Sequence, residues 1–203
     1  MNSIIKPGAG LLFMKVGTHA GEALEDIVRR KRREIEQAGY ALWGYGGNTC
    51  HPLSMVQPFA RAYEMKGSTI FLCMQPMTSR HFAVTERASE MSRDGISWES
   101  IPDSINVLGS RYALAIRDLQ PTEFDLPLSQ ARVAIGTSMG RIASRYLTGH
   151  VDKACLEIVS GPVSEVADES RIHIGLVAKL VAPYALFVRN AVKVPISAGQ
   201  PAE

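Results

Sequence analysis

The chain has 203 residues, 46% of them hydrophobic and 21% charged, a makeup that supports a sizeable core and excludes extended disorder as the main state. A formal net charge of +2 names no nucleic-acid partner, because phosphate affinity follows clustered rather than average charge. Cys50, Cys73 and Cys155 form an odd set without close pairs, which excludes a disulfide framework and points to a reducing, cytoplasmic setting.

The opening residues lack the apolar core and small-residue cleavage pattern of a secretory leader. Residues 10–16 are a short apolar run that reads as a buried strand. Leu24, Ile27, Val28 and Ile35 then recur at helical spacing, with Gly39 placed for a left-handed C-terminal cap. A second strand over 40–43 runs into the glycine-rich 44–48. Pro52 opens another helix, Pro58 interrupts or restarts it, and Gly67 stops it. Residues 68–74 read as a strand, and 81–91 are ambiguous between strand and helix. Asp94-Gly95 and Pro102 punctuate a loop that carries Trp98.

Residues 111–119 and 131–135 read as strands, separated by a turn-rich 118–128 containing Pro121 and Pro127. A short helix over 141–147 ends at Gly149, and 151–159 is again strand-like. Residues 172–180 and 184–189 suggest a closing antiparallel pair with its bend near Ala182-Pro183. His173, Lys179 and Pro183 within that greasy stretch argue against a membrane span, so no membrane partner is expected. The pattern predicts one α+β domain over 1–190 and a polar tail over 191–203. Its sheet is mixed or partly closed and barrel-like, with two main helices and a short third.

Several segments carry groups suited to chemistry. The run Arg29-Arg30-Lys31-Arg32-Arg33 spans more than one helical turn and has i,i+4 partners in Glu25, Asp26 and Glu34, so it reads chiefly as a solvated, internally compensated face. Thr18 and His19 stand between a strand and a helix N-terminus, where free N–H groups can hold an anion. Trp43, Tyr45 and Asn48 offer stacking faces and hydrogen bonds around glycines that permit close approach. Arg80 with His81, and Ser110 with Arg111, supply two loops able to grip phosphate or carboxylate. Cys50-His51 has no second pair at zinc-site spacing, so no metal is expected, and no cofactor motif is evident.

Gly136-Thr137-Ser138-Met139-Gly140 is a Gly-x-Ser-x-Gly between a strand and a helix, and it resembles the nucleophile elbow of α/β-hydrolases, with Ser138 as the serine. Downstream partners would be Asp152 or Asp168 and then His173. A glycine-rich helix start, with Thr137 and Ser138 binding an anion, is the reading that the short remaining chain favours.

The order of elements from residue 10 to 147 is similar to that of EVE- or ASCH-type domains of the PUA-like group. The resemblance is carried by 11–16, the following helix, Ala41-Leu42-Trp43-Gly44, the strand after Gly67 and the strand over 111–116. It implies a pocket that receives a base or modified base. Together these readings predict a ligand-binding module for a nucleobase, nucleotide or nucleic-acid feature. Trp43 and Tyr45 would stack, Arg80 and Arg111 would hold phosphate, and His81 and Asn48 would read polar edges. The alternatives are a serine hydrolase centred on Ser138, a nucleotide-using transferase, and an interaction or inhibitor protein of a mobile element with a protein partner or a homodimer.

Overall fold

The computed structural model of the chain describes residues 4, 6–79, 85–147, 151–161 and 170–190. In chain order its elements are β1 (Gly10–Val16), α1 (Leu24–Ala38), β2 (Ala41–Tyr45), α2 (Gln57–Glu64), β3 (Ile70–Pro76), β4 (Glu90–Ser92), β5 (Glu99–Ser100), β6 (Tyr112–Pro127), β7 (Ala131–Val133), α3 (Ala143–Tyr146), β8 (Lys153–Ile158) and β9 (Arg171–Arg189). A π-helical turn over Pro52–Val56 leads into α2. The strands form one sheet in the order β2-β6-β9-β3-β1-β8-β7, with β4 on β9 and β5 beside β4. Among the described residues only β1 and β3 pair in parallel; the other pairings are antiparallel. The fold is α+β with a mixed sheet, two main helices and a short third, as the pattern predicts. β2 and β7 do not pair with each other, so the sheet stays open and is not a barrel.

The apolar run of β1 comes from burial on both faces. Leu12, Met14 and Val16 join Ile27 of α1 and Phe59 and Tyr63 of α2, while Leu11 and Phe13 pack with Leu126, Leu156 and Ile174 on the opposite face. Alternate side chains of a strand point to opposite faces, so a strand covered on both sides loses the polar half of its pattern. Each such fully buried side chain contributes about 1.5–3 kcal/mol of transfer free energy. α1 ends where expected: Gly39 takes φ 79° and its N–H donates to the Ile35 carbonyl at 2.9 Å.

Two segmentations differ from expectation. Residues 112–127 are one bulged strand rather than a strand followed by a turn region, with register shifts at Leu114/Ile116, Arg117/Gln120 and Pro121/Phe124. β2 covers β6 only as far as Ile116, so among the described residues β6 beyond it is an edge strand, where a proline such as Pro121 is tolerated. Residues 171–189 likewise form one strand, not a hairpin. Leu180 pairs with Ile116 and Ala185 with Leu114, so both halves run along β6 in the same sense, through a cis Ala182–Pro183 bond and Tyr184 at φ 70°. Arg80, His81, Gly149 and the tail over 191–203 lie outside the described residues. Among the described residues no helix is long and apolar enough to cross a membrane.

Candidate functional site

The parallel strands β1 and β3 end side by side, and the Met77 N–H donates to the Val16 carbonyl at 2.7 Å. Gly17 is required there, because a Cβ on it would stand 2.5 Å from the Met77 carbonyl oxygen. The segments leaving these strands meet the end of β2, the inner face of α1, the 106–110 segment and the start of β8. Between them lies a cavity of about 350 Å³. That volume falls within the range of small-molecule sites. Gly44 lets the 106–110 segment approach, since its missing Cβ would collide with Ser110 Oγ. Replacing Gly17 by alanine should push the two strand ends apart at a cost of about 1–3 kcal/mol. Urea denaturation checks this, and unchanged stability would mean that the close approach is not rigid.

Of the residues singled out in the sequence, Thr18, His19, Trp43, Tyr45 and Ser110 line this cavity. His19 Nε2 lies 3.0 Å from the Leu108 carbonyl, while the His19 and Glu22 backbones exchange hydrogen bonds at 3.0 and 2.9 Å. Trp43 is only 4% exposed and Tyr45 2%, and the Tyr45 hydroxyl donates to the Cys50 carbonyl at 2.9 Å. Burial accordingly pushes the Tyr45 hydroxyl pKa far above its ordinary value. The two rings are therefore walls packed into the core, not open stacking platforms.

Other residues lie elsewhere. Asn48 is exposed beyond the cavity lining, and Arg111 is exposed with its guanidinium 5.8 Å from the Tyr112 ring centre. Thr137 is exposed and Ser138 half-buried in the turn after β7, where the Gly140 N–H donates to the Val133 carbonyl at 2.8 Å. β7 is an antiparallel strand at the end of the sheet order and α3 has 4 residues, unlike the central parallel strand and long helix of a nucleophile elbow. His173 faces Asp125 at 3.4 Å on exposed strand surface, and among the described residues nothing is bonded to the Ser138 hydroxyl.

The basic run on α1 divides. Arg29, Arg32 and Arg33 are exposed, but Arg30 and Lys31 turn toward the cavity. Lys31 is 2% and Glu34 3% exposed; the ammonium donates to both Glu34 carboxylate oxygens at 3.0 and 2.8 Å and to the Asn106 carbonyl at 2.5 Å. Arg30 adds a bond to Glu34 at 3.1 Å, one to the Asn106 carbonyl at 2.7 Å and a two-pronged pairing with Glu22. The Asn106 N–H in turn donates to Glu34 at 3.2 Å, and its buried side-chain oxygen lacks a partner. Periodicity already carried this signal: Lys31 lies four residues from both Ile27 and Ile35, on the apolar stripe of α1.

Burial pushes the Lys31 ammonium down to about 8, against the opposing pull of Glu34. Between that value and the unfolded 10.5, the unfolded lysine holds a proton that the folded one has lost, so stability rises with pH across this window. Relative to Lys31→Met, the wild-type chain should gain up to about 1.4 kcal/mol per pH unit there. Urea titrations of both proteins from pH 7.5 to 10.5 test this, and a parallel pH dependence would contradict it.

Among the described residues four cations line the cavity: Lys15, Arg30, Lys31 and Lys153. Arg30 and Lys31 are compensated by Glu22 and Glu34, and Lys15 stands 3.9 Å from Asp152. Among the described residues Lys153 has no carboxylate partner. Cys50, Cys73 and Cys155 are all free and buried. Among the described residues no group of three or more His, Cys, Asp or Glu could hold a metal ion.

The chain matches no protein-family model, no curated protein and no solved structure. The site thus has to be read from its own side chains. They offer a cavity of about 350 Å³, an apolar wall at Trp43, hydroxyls at Thr18 and Ser110, and, among the described residues, one lining cation, Lys153, that no carboxylate pairs.

Proposed function

We propose that the chain is a ligand-binding module whose cavity holds a nucleobase or nucleotide. The observation that carries the reading is the cavity itself. The ends of β1 and β2 bring Trp43, Thr18, His19 and Ser110 around one volume of about 350 Å³. An apolar wall beside a few fixed hydrogen-bonding groups suits a planar, polar-edged ligand. The similarity to PUA-like domains points the same way, but the reading does not depend on it. The roles change from those expected: Trp43 and Tyr45 shape the wall, and the polar contacts come from His19 and Ser110 rather than Asn48 and Arg111.

Calorimetric titration with adenosine, guanosine, cytidine, uridine and their 5′-monophosphates tests the reading. Saturable one-to-one binding of at least one of them is expected. Absence of binding by all eight, in protein shown to be folded, would overturn it.

A further inference from the structure

The glycine turn after β2 has a feature that the nucleobase reading leaves unused. Among the described residues no acceptor is bonded to the Gly46 or Gly47 N–H, although both residues line the cavity. Gly47 holds φ 92°, a conformation that L side chains rarely adopt. A Cβ built on it would stand 3.6 Å from Lys153 Nζ, so the ammonium lies directly against the turn. Lys153 opposes Met14 in the β1–β8 register, which puts its side chain on the face of Met14 and the cavity. It is half-buried, and the carboxylates that neutralise the other lining cations are bonded elsewhere.

We propose that the Gly46–Gly47 turn and Lys153 form an anion subsite at the mouth of the cavity, and that it takes the phosphate of a nucleoside monophosphate. Successive backbone N–H groups beside a cation attract a multi-oxygen anion, and among the described residues no carboxylate is paired with Lys153. The phosphate assignment rests on the nucleobase reading above; the anion subsite does not. Among the described residues Lys153 is the one lining cation without a carboxylate partner, which suits a mononucleotide better than a strand that needs a row of phosphate contacts.

The test compares wild type, Lys153→Gln and Lys153→Arg in titrations with the nucleosides, their 5′-monophosphates and inorganic phosphate, with circular dichroism as the check of folding. In wild type the monophosphate is expected to bind roughly ten- to a hundredfold tighter than its nucleoside. Lys153→Gln should abolish that preference, while Lys153→Arg retains it. Inorganic phosphate should compete with the monophosphate in wild type. An equal affinity for nucleoside and monophosphate, or a preference that survives Lys153→Gln, overturns the subsite. If inorganic phosphate binds in a Lys153-dependent way but no nucleoside or nucleotide does, the subsite stands and the nucleotide reading falls.

Discussion

Replacing Glu34 by alanine is expected to cost about 3–5 kcal/mol of folding stability. The carboxylate receives both Lys31 and Arg30 and also accepts the Asn106 N–H, and it is 3% exposed. Its removal leaves the Lys31 ammonium, 2% exposed, with only the Asn106 carbonyl. An uncompensated buried cation is costly, whereas an apolar pair of similar volume is tolerated. The double substitution Lys31→Met/Glu34→Leu should therefore recover most of the loss, since Arg30 keeps Glu22 and the Asn106 carbonyl. Urea unfolding of the two variants measures both effects. A loss below about 1 kcal/mol for Glu34→Ala would mean that water reaches the floor of the cavity.

Trp43→Ala should destabilise the chain by a comparable amount, about 3–5 kcal/mol, because the indole is packed within the core under α1 and α2. That variant therefore confuses loss of ligand with loss of fold. A cleaner pair uses the two tryptophans of the chain. Trp98 sits in the β4–β5 hairpin with the Arg189 guanidinium 3.8 Å from its ring centre, and it does not line the cavity. Ligand-induced change in tryptophan fluorescence should persist in Trp98→Phe and disappear in Trp43→Phe. The reverse pattern would place the ligand near the hairpin.

Much of the fold is legible in the sequence where one period dominates. The apolar run of β1, the stripe of α1 and the Gly39 cap act locally, and each gives the element it predicts. The long strands β6 and β9 are not legible, because Pro121 and Pro183 carry strong local turn signals. Only the pairing partners reveal that one lies on an open edge and that the other continues in a single direction along its neighbour. Part of the site is legible for a related reason. Gly17, Gly44 and Ser110 mark strand ends, and three such ends do converge on one cavity. Gly136 marks a turn as well, yet its β7 occupies the far end of the sheet order from β2.

The charged floor was hidden by composition. Five consecutive basic residues read as a solvated face, but a helix turns each through about 100°, so they cannot all face water. Lys31 falls on the buried stripe and draws Glu34 in with it. Lys153 gives no local signal, since its significance comes from Gly47 across the cavity mouth.

The most direct measurement of the central claim is calorimetric titration of wild type and Gly46→Phe with the 5′-monophosphates of adenosine, guanosine, cytidine and uridine. A Cβ at Gly46 meets no atom within 4 Å, so the new ring can occupy open space at the cavity lining without disturbing the sheet. Binding of one ligand per chain in wild type, lost in a Gly46→Phe protein of unchanged thermal stability, is the predicted result. Binding that survives the obstruction, or none in either protein, would contradict the assignment of this cavity as the site.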